Sequence, residues 1–441
     1  MDFSEKTGIQ VPKVLLPDKT VDHTRWAVIA CDQFTSQPEY WEKVQEFVGD
    51  APSTLRMILP EVWLHSPDVQ ARIQATQETM RAYLRAGILT EHEGFVLVER
   101  EHSGQIQTGL MVALDLETYD YNKGSQTLIR ATEGTILDRL PPRMQVRRGA
   151  PLELPHILVL YDDPGFKVLE AVLKAKTRLP LCYDFDLMFG SGHLQGWQIS
   201  EPELIRSVLS GLSALIEPGA YADKYQLPEG TPPLLFAMGD GNHSLATAKA
   251  IWEELKPSVG MDHPARYALV EIVNLHDPAI NFEAIHRVLF NAPPDFLQQM
   301  ESAFSPDIRF RRGLSFDQLS EAVLTRDPQS QKIGCIRAAD LVLIELTRPS
   351  YNLPVGSLQE YLDRFLASHP ETRIDYVHGD DTVRELAAQP GNIGFLLPPI
   401  SKEAFFKTVI VDGALPRKTF SMGHAKDKRF YMECRRISRE S

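Results

Sequence analysis

Six consecutive residues, Gly239-Asp240-Gly241-Asn242-His243-Ser244, bring together a carboxylate, a carboxamide, an imidazole and a hydroxyl between glycines. They follow the apolar run Leu234-Leu235-Phe236-Ala237-Met238 and precede Leu245-Ala246-Thr247-Ala248-Lys249-Ala250-Ile251-Trp252, a composition that favours helix. The pattern predicts a strand, a turn able to take positive φ, and a helix with Leu245, Ala248, Trp252 and Leu255 on one face. First-turn N–H groups of such a helix lack intrahelical acceptors and sit at its positive end, so Gly241 to Ser244 are expected to bind an anion, phosphate above all. Asn242 and His243 stand where side chains can join those N–H groups, and Asp240 can hold a metal or accept a proton. The structural alternative is a turn with Asn242 or Ser244 as helix cap. Two named loops are excluded. A Rossmann fingerprint needs glycine where Ser244 stands and an acid ending the next strand, where Asn274 stands; a Walker A loop needs Lys-Ser or Lys-Thr after its last glycine.

Other residues suit an anionic ligand. Arg130, Arg139, Arg143, Arg147 and Arg148 fall in one short segment, and guanidinium groups match phosphate oxygens bidentately. For most of them, surface pairing with Glu133, Asp138 and Glu153 is the better reading. Arg143, beside Pro141-Pro142, is the strongest ligand candidate. Asp32 ends an early strand, where ligands of α/β proteins gather, and Glu39 occupies the first turn of a helix expected from Pro38. Lys418 and Thr419, in Pro416-Arg417-Lys418-Thr419, are either a phosphate-closing segment or a basic surface turn. His286-Arg287 follows an apolar stretch, where a packed core histidine is the commoner meaning. His193, in Gly190-Ser191-Gly192-His193, belongs to a substrate loop or a plain turn. His156, His193 and His276-Asp277 form no close-spaced metal set, and there is no GxSxG elbow.

The elements that must position these residues alternate along the chain. Strands are expected at 26–30, 94–100, 107–114, 156–161, 234–238, 267–274, 341–346 and 393–397, with another run at 430–434; helical spacing marks 68–86 through Ile73, Met80, Tyr83 and Leu84. The fold class is mixed α/β or α+β. Glu217-Pro218-Gly219 and Asn291-Ala292-Pro293-Pro294 are candidate linkers. The expected division is 1–290, with an insertion at about 51–225, and 291–441, a C-terminal α/β region supplying the basic segment.

Composition narrows the function. The chain has 441 residues and a net charge of −13, which opposes non-specific DNA binding while leaving room for a focused cationic pocket. No apolar run approaches the ~18–20 residues that span a bilayer. The start lacks signal-peptide character, and the four cysteines form no CxxC pair. A cytoplasmic protein without nucleic-acid or membrane partners is expected. A homodimer is compatible with the sequence, which does not specify oligomeric state.

The segment PLLFAMGDGNHSLATAK at 233–249 resembles a bacterial and archaeal family known as a domain of unknown function. Its Asp-Gly-X-His core is similar to the phosphate loop of the ParB/sulfiredoxin-like superfamily, which includes free-serine kinases. Those kinases usually carry Arg after the His, where this chain has Ser244. CDQF at 31–34, RATEGTILDRLPPR at 130–143, GAPLELPH at 149–156, IHRVL at 285–289 and LPRKTF at 415–420 also resemble the serine-phosphorylating branch. The resemblance implies a ParB/sulfiredoxin-like phosphate-binding core and a phosphotransferase interconverting L-serine and O-phosphoserine. Asp240 and His243 then act at the phosphates with Gly241, Asn242 and Ser244. Asp32 serves as base, with Glu39 and Glu133 as alternatives, while Lys418 and Thr419 join the donor site. Glu133, Arg139, His193, His286 and Arg287 are secondary substrate-binding candidates. Mg²⁺ would be held through Asp240. Pyrophosphate, ATP and ADP all fit as donor; the arginines and the lack of an adenine signature tilt the reading towards pyrophosphate. A phosphatase of O-phosphoserine and a ParB-like nucleotide-dependent binding module are the rival readings.

Overall fold

The computed structural model describes residues 3–439 apart from 103, 136, 328 and 423–427. The chain is a mixed α/β protein of two compact units, Met1–Ile280 with Gly423–Ser441, and Asn281–Met422. The division therefore falls ten residues before the expected one, and the chain returns to the first unit at its far end. Asn291-Ala292-Pro293-Pro294 is not a linker between units. Asn291 takes a left-handed φ of 57° and Ala292 N–H donates to Gly391 O at 2.7 Å, forming a turn inside the second unit. Glu217-Pro218-Gly219 likewise opens the helix Pro218–Tyr225 within the first unit, with proline at its start, where no intrahelical N–H is required.

The described residues of the first unit build a ten-stranded mixed sheet. Its order is Leu181–Asp186, His193–Ile199, Phe95–His102, Gln105–Asp115, Tyr267–Asn274, Leu158–Tyr161, Phe236–Asp240, Ile129–Arg130 and Tyr119–Asp120, with Ile9–Gln10 paired to Gln105–Asp115. Leu158–Tyr161 runs parallel to Tyr267–Asn274 and antiparallel to Phe236–Asp240, which runs parallel to Ile129–Arg130. The central strands are apolar on both sides. Phe236, Ala237, Met238, Val159, Leu160, Val270 and Ile272 are all essentially buried, as expected where both sheet faces are covered.

The helix Asn242–Val259 buries Leu245, Ala246, Ala248, Ile251 and Trp252, close to the face read from spacing; Leu255 is only half-buried. The helices Pro38–Val48 and Val69–Arg85 also form, the latter burying Ile73, Met80 and Tyr83. The strand expected over 26–30 shortens to Val28–Ile29, because Asp22 caps a helical turn, His23–Trp26, immediately before it. The C-terminal segment is stitched into this unit at three places. Phe430–Tyr431 pairs with Val28–Ile29, Cys434 bridges to Leu15, and Arg435–Arg436 pairs with Leu152–Glu153. Beneath it, the fully buried Arg429 lies between Glu271 (Nη1–Oε2 2.8 Å) and Glu433, and its Nε donates to Pro155 O at 3.1 Å.

The second unit is a seven-stranded sheet, ordered Ile308–Arg312, Asp340–Leu346, Gln331–Arg337, Ile393–Leu396, Phe282–Phe290 and Arg373–His378, with Phe420–Met422 paired to Phe282–Phe290. Its helices include Phe316–Leu324, opened by a reciprocal Ser315/Gln318 capping box, and Asp380–Ala387; both pack on this sheet through Leu319, Val323, Val383 and Ala387. Among the described residues no helix is long and apolar enough to cross a membrane, and all four cysteines are free.

Candidate functional site

The strand Phe236–Asp240 runs two residues beyond Met238, so Gly239 and Asp240 are its last members and Gly241 makes the turn. Gly241 adopts φ 79° and ψ 27°, and a Cβ there would stand 3.1 Å from Ile157 Cα. Both conformation and space require glycine. The helix begins at Asn242 with no side-chain cap, so neither Asn242 nor Ser244 plays the capping role of the structural alternative. Gly241 N–H is instead turned back to Asp240 Oδ1 at 2.9 Å.

Three parts of the first unit converge on this helix start. The first is the turn after Val28–Ile29, carrying Cys31, Asp32 and Gln33. The second is Pro155-His156-Ile157, leading into Leu158–Tyr161. The third is the C-terminal segment with Lys428 and Tyr431. Register explains the second, since Leu158 pairs with Asp240 and brings His156 to the same sheet end. His156 Nε2 lies 2.8 Å from Ser244 Oγ and 3.8 Å from Asp32 Oδ2; its Nδ1 lies 2.7 Å from Tyr431 Oη. Tyr431 Oη in turn accepts Cys31 N–H at 3.1 Å. Lys428 Nζ stands 2.9 Å from Asp240 Oδ2.

Electrostatics follow from this packing. Burial pushes the Asp32 carboxyl up, but His156, the Gln33 carboxamide (2.9 Å to Oδ1) and Lys428 outweigh it and hold it below the usual carboxylate range. Burial lowers the His243 imidazole to about 4, helped by Arg143 and Arg139 and opposed by Asp32, so it is neutral at physiological pH. Its Nε2 and the Oδ1 of Asn242 are buried without a hydrogen-bond partner among the described residues. Burial, the Cys31 thiol and Asp32 keep Tyr431 neutral well above the ordinary tyrosine range. Burial and Asp32 raise Cys31, so it is no nucleophile.

Asp32, Asp240, Gly241, Asn242, His243 and Ser244 thus assemble as expected. Glu133 reaches the same end of the sheet, because the chain beyond Ile129–Arg130 runs beside Phe236–Asp240 and Thr132 Oγ1 donates to Met238 O at 2.8 Å. Glu39 is exposed in the first turn of its helix. The arginines are mostly engaged by the protein itself. Arg143 makes a fork with Glu61 (Nε–Oε1 2.8 Å) and donates Nη1 to Arg139 O at 2.8 Å, so its expected phosphate grip is already occupied. Arg147 pairs with Glu153 and Arg148 with Glu254. Arg130 is buried, donating to Thr127 O and Pro232 O. Arg139 is exposed and acts on His243 by its charge.

Five other candidates take the following places. His193 lies on a strand separated from Phe236–Asp240 by four others in sheet order, with both ring nitrogens 2.7 Å from carboxylates, Asp186 and Asp184. In the second unit His286 is a core histidine: Nδ1 accepts Leu397 N–H at 3.2 Å and Nε2 faces Asp380 Oδ1 at 2.9 Å. Arg287 is fully buried and donates to Gln359, Ile285 O and Arg417 O, which leaves it no ligand role. Thr419 is buried, its hydroxyl donating to Pro416 O, while Lys418 is exposed on a left-handed φ of 55°.

For Mg²⁺, Asp240 presents one oxygen to Gly241 N–H and the other to Lys428, and no group of three or more candidate ligands occurs among the described residues. The cation matched to Asp240 here is an ammonium. Sequence reasoning missed Lys428 and Tyr431 and treated His156 only as a weak metal candidate. GAPLELPH contains His156, but nothing in the sequence signals that residues 428–431 return to the first unit.

No curated protein matches this chain significantly. Among solved structures, a free serine kinase mutant in complex with AMP aligns with TM-score 0.38 and 9% identity, covering 75% of this chain and 93% of that one. A conserved hypothetical protein from Pyrococcus furiosus aligns with TM-score 0.35 and 9% identity, over 77% and 98%. SbnI with C-terminal truncation from Staphylococcus aureus gives 0.33 and 9%, over 73% and 82%. These are distant likenesses. A family profile, by contrast, matches residues 15–365, most of the chain including every site residue above except Lys428 and Tyr431, and on that match the chain belongs to the family described as "Protein of unknown function (DUF1015)".

Proposed function

We propose that this chain is a phosphotransferase interconverting free L-serine and O-phosphoserine, with the donor phosphate held at the uncapped start of the helix Asn242–Val259. The observation that carries this reading is the convergence there of an ionised carboxylate (Asp32), an ammonium (Lys428) and the chain Tyr431–His156–Ser244. In the forward direction, N–H groups of the helix start and the Ser244 hydroxyl contact the terminal phosphoryl group, and Lys428 turns from Asp240 to a phosphate oxygen. Asp32 orients the serine hydroxyl. As the serine O–P bond forms, the donor's bridging P–O bond breaks and the hydroxyl proton passes to Asp32. A carboxylate of low pKa is adequate, because a loose phosphoryl transition state leaves the acceptor oxygen little need of a strong base. Neutral His243, its Nε2 unpartnered among the described residues, is free to hydrogen-bond a phosphate oxygen or the acceptor. Asp240, once Lys428 has turned away, is the residue that would hold a donor-bound Mg²⁺, whose charge would offset that of the phosphates. Pyrophosphate is the donor we favour.

A donor screen tests the reading: L-serine with pyrophosphate, ATP or ADP, following O-phosphoserine by mass. Product with one of them is expected. No product with any donor defeats the proposal, and O-phosphoserine hydrolysis that ignores the acceptor replaces it with a phosphatase.

A further inference from the structure

Ser244 and His156 line one side of a chamber of about 150 Å³ that opens to solvent. Its apolar wall includes Met57, Ile58, Leu59, Met80, Leu152 and Leu269, each nearly or fully buried. The charges on its wall neutralise one another, Arg143 with Glu61 and Arg147 with Glu153. The Thr247 hydroxyl is spent on His243 O at 2.7 Å. With its charges paired and this hydroxyl engaged, the wall is largely apolar in what it offers a ligand, so the chamber suits an apolar group that leaves water on binding. Two methionines, unbranched and adaptable, let the wall fit ligands of differing shape. The spare polar capacity at the edge nearest the helix start is that of the Ser244 hydroxyl, since both ring nitrogens of His156 are engaged; Cys31, the neighbour of Asp32, forms part of the wall there. An occupant is thereby defined: a polar end at Ser244, beside Asp32, and a compact apolar arm in the chamber.

We propose that this chamber receives the apolar arm of a phosphoryl acceptor, extending the acceptor class from serine to amino acids whose hydroxylated carbon also bears an alkyl or aryl group. The acceptor assignment rests on the serine phosphotransferase reading; the chamber's affinity for an apolar group does not. The transfer is the one already written, from the donor's bridging P–O bond to the acceptor oxygen, with the hydroxyl proton passing to Asp32.

The test compares L-serine, L-threonine and β-phenylserine as acceptors in the wild-type chain and in Ala150→Leu, which adds bulk to the chamber wall. In parallel, benzene is tested for raising Tm. Expected are phosphorylation of the substituted acceptors, a β-phenylserine to serine kcat/KM ratio lower by roughly tenfold or more in Ala150→Leu, and a benzene-induced rise in wild-type Tm that the variant loses. If serine is phosphorylated but neither substituted acceptor is, the acceptor class is overturned. If benzene leaves wild-type Tm unchanged, the chamber is not a binding site. If no acceptor at all is phosphorylated while the benzene shift is present and lost in Ala150→Leu, the phosphotransferase reading falls and the apolar site stands. That last comparison needs no turnover and uses the intact chain.

Discussion

Asp32 and His243 share one environment and are driven to opposite charge states by it. Asp32 keeps its charge because His156, Gln33 and Lys428 surround it, whereas His243 loses its proton to burial and to the two arginines nearby. Asp32→Asn and His243→Ala are each expected to remove most turnover while the fold survives, checked by product formation alongside far-UV circular dichroism. Near-normal rates in either variant would take that residue out of the mechanism. His243 also makes a pH prediction with a definite sign. Its folded pKa, about 4, lies below the unfolded 6.5. The unfolded chain therefore binds the extra proton first as pH falls, and stability declines between about 6.5 and 4. A urea-midpoint series across that range should show the decline, flattened in His243→Ala. An NMR titration should show the imidazole pKa rising when pyrophosphate binds beside it. This scale was the most legible in the sequence for the loop itself, where glycine spacing and side-chain types are local information. It was least legible for the arginines. Arg143 was read as a ligand because guanidinium groups suit phosphate, but a fork suits Glu61 equally well, and the pairing spans residues 61 and 143.

The strand–turn–helix from Phe236 to Val259 is the element that turns those side chains into a site. Its geometry depends on Gly241, where the backbone is left-handed and Ile157 passes close by. Gly241→Ala should cost about 1–2 kcal/mol from the conformation alone, with an added cost from the Ile157 contact, read as a lower urea midpoint. Anion affinity should fall with it, because the turn aims the helix N–H groups. Element types were readable from periodicity. The strands Phe95–His102, Gln105–Asp115 and Tyr267–Asn274 and the helix Val69–Arg85 lie where apolar spacing put them, and Pro38–Val48 starts where Pro38 placed it. Sheet order was not readable. Leu158–Tyr161 reaches Tyr267–Asn274 across more than a hundred residues, and no local pattern encodes a partner so distant. His156 could be recognised as part of the site only once the register of Leu158 against Asp240 was known.

Over the whole chain, the first unit is closed by residues that come after the second. Arg429 is buried between Glu271 and Glu433, and its Nε reaches the carbonyl of Pro155, next to His156. Arg429→Met would strand two buried carboxylates. A cost of about 3–5 kcal/mol is expected, measured by chemical denaturation, and a triple change that also makes both glutamates glutamine should recover part of it. Recovery of nothing would mean that Arg429 acts by shape rather than charge. The unit boundary was misread because proline and glycine punctuate turns as readily as they do linkers: Pro293-Pro294 follows a turn inside a sheet unit. The returning tail had no sequence signal, since Lys428-Arg429 reads as an ordinary basic pair.

That return has a consequence for biosynthesis. A ribosome releases residues 1–280 first, yet Val28–Ile29 and Leu152–Glu153 have their strand partners, and His156 its Tyr431 contact, only beyond residue 428. The nascent first unit must wait, with an unpaired strand edge and an unneutralised Glu271, until the intervening unit has been made. Chaperone dependence during synthesis should then track translation speed across residues 281–422, a stretch to which the candidate site contributes no residue described above.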